Sequence, residues 1–205
     1  MINTKTYPSE SGMNRRDFLK QSGLASLLAG LALAKPCFAR TPSDVSQVEN
    51  LSDKINDTFS ADHKAILKAV QLQLFPADGD GPSAADINAY RYLDWALEDP
   101  KNKEDGDRVF IRQGINELEV LTRKAGCQRF DKLDSMQQHR LLQQFADTEL
   151  GDHWMSLLIY YLMEALLLDP VYGGNTNEAG WKWLEHQPGF PRPTAQRNFR
   201  HYVKV

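Results

Sequence analysis

The segment from His153 to Met163 is predominantly apolar, and its apolar residues lie on all sides when it is placed on a helix. Such a helix lies at the centre of a bundle or presses against a second surface, because otherwise water would contact an apolar face. No alternating apolar and polar run in the chain is long enough to indicate a β-strand. These patterns predict an all-α fold.

Four further segments show the helical spacing of apolar residues. The first is capped by Ser60 and ends at Pro76, and the second opens with a capping box formed by Ser83-Ala84-Ala85-Asp86. A third helix begins near Asp107 and stops at Gly126, and a fourth begins at Asp134. Together with the apolar segment, these patterns predict a bundle-like domain of roughly five helices.

Two other parts of the domain lack helical spacing. The charged stretch from Glu98 to Gly106 is typical of a connection between helices. The segment from Asp169 to Val205 is rich in aromatic residues, glycine and proline, and predicts an irregular C-terminal tail. We therefore expect the helical domain to cover residues 59–205, with the tail at its end.

The N-terminus carries the pattern of a twin-arginine export signal. Arg15 and Arg16 are followed by Phe18 and Leu19, and then by a modestly apolar run from Ser22 to Ala34. This run has thirteen residues, whereas a membrane-spanning helix needs roughly 20. The pattern therefore predicts recognition by the twin-arginine translocase, export to the periplasm in a folded state, and assembly of the protein before export.

Two positions fit cleavage of this signal, because small residues precede both Ala34 and Ala39 at the required places. We favour the cut after Ala39, which makes residues 1–39 the signal peptide. Residues 40–58 are rich in Ser, Asp, Asn and Thr and predict a flexible linker.

The charge of the mature chain argues against binding to nucleic acid. Residues 40–205 hold 19 Lys and Arg against 25 Asp and Glu, a net charge near −6. Proteins that bind nucleic acid carry clustered positive charge instead. We therefore expect no nucleic-acid partner.

Cysteine usage allows few pairings. Cleavage after Ala39 leaves only Cys127, which is then either buried or paired with another chain, and burial is the more common state. Cleavage after Ala34 would also retain Cys37 and would make a Cys37–Cys127 disulfide conceivable.

The sequence offers no self-sufficient active site. It has no Gly-x-Gly-x-x-Gly motif after a strand and no Cys-x-x-Cys-His motif, and it has too few cysteines for an iron–sulfur cluster. These observations predict a chain without catalytic residues, metal or cofactor of its own.

An alternative is a self-contained periplasmic enzyme, or a metal-binding or ligand-binding helical module, that uses Glu149, His153 and Glu164. Glu149 and His153 are four residues apart and would share one helix face. A di-iron bundle requires Glu-x-x-His twice, whereas this spacing is Glu-x-x-x-His and occurs once. An ion pair at the start of a helix is the more typical interpretation.

The C-terminal segment contains the sharpest internal motif. Asp169-Pro170 ends the long helix, because proline cannot continue the helical ladder. Gly173-Gly174-Asn175 permits a tight turn with positive φ. Two tryptophans and a tyrosine in so short a segment either fold back over the helices or anchor a partner, and the residues alone do not separate these alternatives. The predicted partner-binding residues are Asp169, Pro170, Tyr172, Gly173, Gly174, Asn175, Gly180, Trp181 and Trp183.

Together with the Arg15-Arg16 signal, two stretches give the chain a family resemblance. They are Leu74 to Ala84, which reads LFPADGDGPSA, and Asp169 to Gly189, which contains DPVYGGN and GWK. With these motifs the chain resembles the gluconate 2-dehydrogenase subunit 3 family. Members of that family are small subunits of membrane-bound, FAD-dependent dehydrogenases of sugars, sugar acids and alcohols.

The resemblance implies a function that the residues alone do not. In that family the small subunit is not catalytic, and it binds a large flavoprotein of the glucose-methanol-choline type that carries the FAD. A multihaem cytochrome c subunit often completes the complex. The large subunit commonly lacks an export signal, so the small subunit helps it mature and escorts it through twin-arginine export. The complex lies in the periplasm, at the periphery of the inner membrane.

Overall fold

The computed structural model describes residues 58–202, and these residues form eight α-helices and no β-strand. The all-α prediction is therefore confirmed. In chain order the helices are α1 (Ala61–Leu74), α2 (Ala89–Ala96), α3 (Pro100–Glu104), α4 (Asp107–Lys124), α5 (Ser135–Ala146), α6 (Glu149–Leu167), α7 (Ala179–Leu184) and α8 (Phe199–Tyr202). Short 3-10 turns lie at Phe130–Lys132, Pro170–Tyr172 and Thr176–Glu178.

Side-chain caps explain where three of these helices begin. The Ser60 hydroxyl accepts a hydrogen bond from the His63 backbone N–H at the start of α1. Asp134 and Gln137 form a reciprocal capping box at the start of α5, and Thr148 caps α6. Each cap satisfies an amide that has no partner inside the helix. The starts predicted at Ser60 and Asp134 are confirmed.

The predicted start of the second helix is wrong. Ser83 and Asp86 do form the expected hydrogen bonds, with the Ser83 hydroxyl donating to Asp86 Oδ2 over 2.7 Å. These bonds close a turn, however, and Asn88 then takes a left-handed conformation with φ of 54°, so that α2 begins only at Ala89. The charged connection from Glu98 to Gly106 also differs from the prediction, since it contains the short helix α3, capped by Asp99.

Helix α6 forms the centre of the core along one face. Its buried residues pack against α2, α4 and α5. The fully buried Trp154 lies on Gly114 of α4, and its indole N–H donates to the Ile111 carbonyl over 3.0 Å. The opposite face is open, since Ile159 and Tyr160 are 44% and 50% exposed. The segment predicted to be apolar all round is thus buried on only part of its circumference.

The C-terminal segment is more regular than predicted. Residues 169–184 contain two 3-10 turns and helix α7, and residues 199–202 form α8. The prediction of an irregular tail is wrong for these parts, because hydrogen bonds to the helical domain order them.

Several predictions concern residues outside the described range. The signal peptide of residues 1–39, with Arg15, Arg16, Phe18 and Leu19, lies there, as does the linker of residues 40–58 except its last residue. Within the described range, none of the helices combines the length and the apolar character that a membrane crossing requires.

Cys127 follows the C-terminus of α4 and is a free thiol. It is half-buried, so burial, the more common of the two expected states, is only partial. Its Sγ lies 3.8 Å from the Ala125 carbonyl oxygen.

Candidate partner-binding surface

The segment from Asp169 to Leu184, called the C-terminal platform below, turns back over the end of α6. The Asp169 carboxylate accepts a hydrogen bond from the Val171 N–H over 3.0 Å and opens the first 3-10 turn. Gly173 follows with φ of 97°, a conformation that favours glycine. A Cβ at Gly174 would lie only 2.7 Å from the Ala165 carbonyl oxygen, so glycine permits the close approach to α6.

Two side chains of the platform bind the last carbonyls of α6. Asn175 Nδ2 donates to the Leu168 carbonyl over 3.1 Å, and Asn175 Oδ1 accepts from the Gly180 N–H over 2.8 Å. The Trp181 indole N–H donates to the Leu167 carbonyl over 2.7 Å. Carbonyls at the end of a helix have no intrahelical partner, so these bonds both cap α6 and fix the platform to it.

Arg192 holds the platform from its outer side. Its Nε lies 2.9 Å from Asp169 Oδ2, its Nη1 lies 2.7 Å from Glu178 Oε1, and its guanidinium lies 5.0 Å from the centre of the Trp181 ring. The two carboxylates, Asp169 foremost, hold the pKa of Arg192 above its usual value. Arg192 was not predicted as a site residue, since its partners are known only once the chain has folded back.

Trp183 connects the platform to the loop that follows α1. A Cβ at Gly81 would lie 2.4 Å from Trp183 Cε2, and the rings of Phe75 and Trp183 meet edge to face at 6.3 Å. In the same loop the Asp80 N–H donates to Asp78 Oδ1 over 3.1 Å. The two motifs that were singled out in the sequence are therefore in direct contact.

Tyr172 connects the platform to α2. Its ring centre lies 5.0 Å from that of Trp95, which lies 5.8 Å from Tyr92 in the same helix. The Tyr172 hydroxyl accepts a hydrogen bond from the Phe199 N–H over 3.2 Å, and the Arg200 guanidinium lies 4.2 Å from the Trp95 ring centre. The chain after the platform thus packs across the end of α2.

The predicted partner-binding residues divide into two groups by burial. Trp181 and Trp183 are only 5% and 9% exposed, so both tryptophans fold back over the domain. In total five of the predicted residues are buried, namely Gly174, Asn175, Gly180, Trp181 and Trp183, and four are partly exposed, namely Asp169, Pro170, Tyr172 and Gly173. A role in partner binding stays a prediction for all of them, and only the second group offers surface to a partner.

An apolar surface on α6 lies beside the platform and was missed from the sequence. It consists of Ile159, Tyr160, Met163 and Leu167, and is called the α6 apolar face below. At 100° per residue these side chains lie within about 60° of one line along the helix. Ile159, Tyr160 and Leu167 are 44%, 50% and 48% exposed. The sequence did contain a signal for this exposed face, because a helix that is apolar on all sides exposes every apolar side chain that the domain does not cover.

Glu149, His153 and Glu164 do not form one site. Glu149 begins α6 and Glu164 lies near its end, so the two are about 22 Å apart along the helix. Glu164 Oε2 instead accepts the Tyr92 hydroxyl hydrogen bond over 2.8 Å, and burial together with this carboxylate raises the pKa of Tyr92. Residues 58–202 contain no group of three or more His, Cys, Asp or Glu that could hold a metal ion. The hypothesis of a metal or ligand site built from these three residues is wrong.

Comparison with known proteins gives a family match. The family model described as gluconate 2-dehydrogenase subunit 3 matches residues 61–189. The match covers well over half of the 205 residues and includes α1 to α7 with the C-terminal platform. No curated protein and no solved structure matches the chain.

Proposed function

Because the chain belongs to the gluconate 2-dehydrogenase subunit 3 family, we propose that it is the non-catalytic small subunit of a dehydrogenase complex. It binds a large FAD-dependent subunit of the glucose-methanol-choline type, helps that subunit mature, and escorts it through twin-arginine export to the periplasm. The Arg15-Arg16 motif supports the export step.

The α6 apolar face is the observation that carries this proposal. Ile159, Tyr160 and Leu167 expose about half of their surface on the helix that also forms the core. Each Å² of apolar surface removed from water stabilises a complex by about 25 cal/mol before the costs of association. Aromatic residues in such patches often contribute most of the binding energy. A large subunit that covers this face would remove it from water.

The C-terminal platform holds the C-terminal end of the helix that carries this face. Trp181 and Asn175 bind the carbonyls of Leu167 and Leu168, so the platform fixes the backbone that presents the Leu167 side chain. Asp169 and Tyr172 are partly exposed at the edge of the platform and extend the surface offered to the partner. The buried members of the predicted motif thus act by positioning, and its exposed members act by contact.

The redox chemistry belongs to the large subunit in this proposal. The sequence lacks a Gly-x-Gly-x-x-Gly motif after a strand, which a chain that cradles FAD by itself would be expected to show. The resemblance implies sugars, sugar acids or alcohols as the substrate class, and complexes of this family often include a cytochrome c subunit as electron acceptor. The small subunit contributes assembly, stability and export.

Co-expression of the full chain with its large subunit tests the proposal. A tag on the large subunit should recover the wild-type chain together with a flavin absorption spectrum. The double variant Y160S/L167S should reduce the recovered small subunit at least tenfold, since losing about 1.4 kcal/mol of binding energy already gives that factor. The matched control is V109S/M136S, because Val109 and Met136 are both 64% exposed on other helices. The control should bind like the wild type.

Two outcomes would contradict the proposal. One is a wild-type chain that is recovered alone and monodisperse in the presence of the large subunit. The other is equal recovery of both double variants, which would mean that the α6 apolar face is not the interface. Thermal unfolding by circular dichroism establishes that each variant is folded before binding is compared.

A further inference from the structure

An open cleft of about 600 Å³ lies where the chain after the platform crosses α2. It is called the tail cleft below, and the chain that follows the platform, residues 185–202, is called the tail. Tyr172 of the platform lines the cleft together with residues of the tail, mainly Pro191, Arg192, Arg197, Phe199 and Tyr202. Its volume is in the range of sites that accept a few side chains or a small ligand. The platform and the tail build it together.

Hydrogen bonds of the tail hold this cleft in shape. Thr194 and Arg197 exchange two backbone hydrogen bonds of 3.1 Å, which close a tight loop. The Phe199 N–H donates to the Tyr172 hydroxyl, and Arg192 is fixed by its carboxylate partners. The walls are therefore formed before any partner arrives, which lowers the entropic cost of binding.

The residues that line the cleft include two arginines, Arg192 and Arg197, and no Asp or Glu. Asp169 and Glu178 neutralise Arg192, whereas the exposed Arg197 guanidinium has no hydrogen-bond or ion-pair partner within residues 58–202. No Asp or Glu follows Glu185, although the same stretch contains Arg192, Arg197, Arg200 and Lys204 in a chain of net charge −3. A guanidinium binds a carboxylate through paired hydrogen bonds, so the complementary partner group is acidic.

Aromatic side chains border this charge. Phe199 is 51% exposed and Tyr202 is 69% exposed. Rings that are this exposed beside a cation suit a segment in which a carboxylate is adjacent to an apolar side chain. The cleft therefore combines a charge for orientation with apolar area for affinity.

The tail cleft lies almost entirely beyond the residues that the family model matches. The family match ends at residue 189, and of the residues that line the cleft only Tyr172 lies within it. The cleft thus offers a surface beyond the part of the chain that the family model matches.

We propose that the tail cleft binds an acidic segment of the large subunit, with a carboxylate paired to Arg197 and an apolar side chain against Phe199 and Tyr202. This inference rests on the proposed function, and it adds a second contact that selects the cognate large subunit. Positive charge on an otherwise acidic small subunit also orients the two chains as they meet.

Photo-crosslinking within the assembled complex tests the occupant directly. Tyr202 is replaced with p-benzoylphenylalanine in the full chain, the complex is purified and irradiated, and the crosslinked peptides are identified by mass spectrometry. We expect a peptide of the large subunit that contains Asp or Glu. Crosslinks to a second copy of this chain, to a cytochrome subunit, or to a large-subunit peptide without acidic residues would overturn the inference. The same label at Met136 on α5 gives the background.

A competition experiment tests the charge. Wild-type chain and R197E are expressed together with limiting large subunit, and intact mass spectrometry measures their ratio in the purified complex and in the whole cell. We expect R197E to be depleted in the complex at least about fivefold relative to the cell, while the control R140E, altered at an exposed arginine of α5, is not depleted. Equal incorporation of R197E overturns the inference and leaves the proposed function intact. A wild-type chain that forms no complex overturns both.

Discussion

The Trp183 indole lies so close to Gly81 that a Cβ at position 81 would be 2.4 Å from Trp183 Cε2. Trp183 is 9% exposed and has Phe75 at its edge, so the ring has little room to move away. The contact joins the loop after α1 to helix α7, about a hundred residues later in the chain. Two segments that are distant in sequence therefore depend on one glycine.

We predict that Gly81→Ala destabilises the protein by about 1–3 kcal/mol, the usual cost of overpacking a filled site. Thermal unfolding should show a midpoint lowered by several degrees. Gly189→Ala is the matched control, because a Cβ at Gly189 meets nothing within 4 Å and should leave the midpoint unchanged. Equal midpoints for the two variants would show that the Trp183 ring is not held against the loop.

Replacement of Trp181 separates its packing from its hydrogen bond. Trp181→Ala removes a ring that is 5% exposed and should cost about 3–5 kcal/mol of unfolding free energy. Trp181→Phe keeps most of the apolar contact but removes the hydrogen-bond donor to the Leu167 carbonyl. The loss of this hydrogen bond should lower the unfolding free energy by about 1 kcal/mol, in addition to the small cost of the changed packing. Urea unfolding measures both values. An alanine variant with wild-type stability would contradict the packing role of Trp181.

His63 should make stability fall at mildly acidic pH. Burial, reinforced by the positive charge of Arg112, lowers the pKa of His63 from 6.5. The unfolded chain then binds the proton more tightly than the folded protein does. The contribution of His63 to the unfolding free energy is therefore at its full value above pH 6.5. It decreases as the pH falls from 6.5 toward the pKa of His63 in the folded protein, and it stays constant at lower pH.

Unfolding midpoints between pH 7.5 and pH 5 check this expectation. His63→Gln should show a smaller decrease across that interval than the wild type. Arg112→Gln removes only the second cause and should lie between the two. A decrease of equal size in His63→Gln would assign the pH dependence to other groups.

The export prediction concerns both chains of the proposed complex. Replacing Arg15 and Arg16 together by Lys should retain this chain and the large flavoprotein in the cytoplasm, because the proposed function has the large subunit exported on the signal of the small one. Cell fractionation with immunoblotting and flavin fluorescence measures both. Lys5→Arg, outside the motif, is the control. Normal periplasmic yield of the flavoprotein from the double variant would contradict the escort role.

Local signals predicted the helices well and their junctions less well. Ser60 and Asp134 cap helices where the pattern indicated, because a cap needs only a side chain and an amide three residues away. Ser83 and Asp86 show the limit of that reasoning. Their hydrogen bonds form as expected, yet Asn88 turns left-handed and α2 starts at Ala89. The same local bonds are compatible with a turn or a helix, so they do not specify which one follows.

The candidate site was less predictable because its geometry depends on distant partners. The C-terminal motif was found from its residues, but whether Trp181 faces the domain or a partner depends on the Leu167 carbonyl at the end of α6. Likewise, Arg192 contacts the platform through Asp169 and Glu178, which lie 23 and 14 residues earlier. Sequence spacing gives no information on such pairings.

The features that were predicted from the sequence depend on interactions between nearby residues, whereas the features that were missed depend on contacts between distant ones. Capping and apolar periodicity act within a few residues, and they were sufficient to predict an all-α chain with a long apolar helix. Burial is a property of surfaces that meet across the whole domain. Only the packing of α2, α4, α5 and the platform around α6 left Trp181 and Trp183 covered and Ile159, Tyr160 and Leu167 exposed. The sequence thus identified the helix, and the folded domain selected which face of it remains exposed.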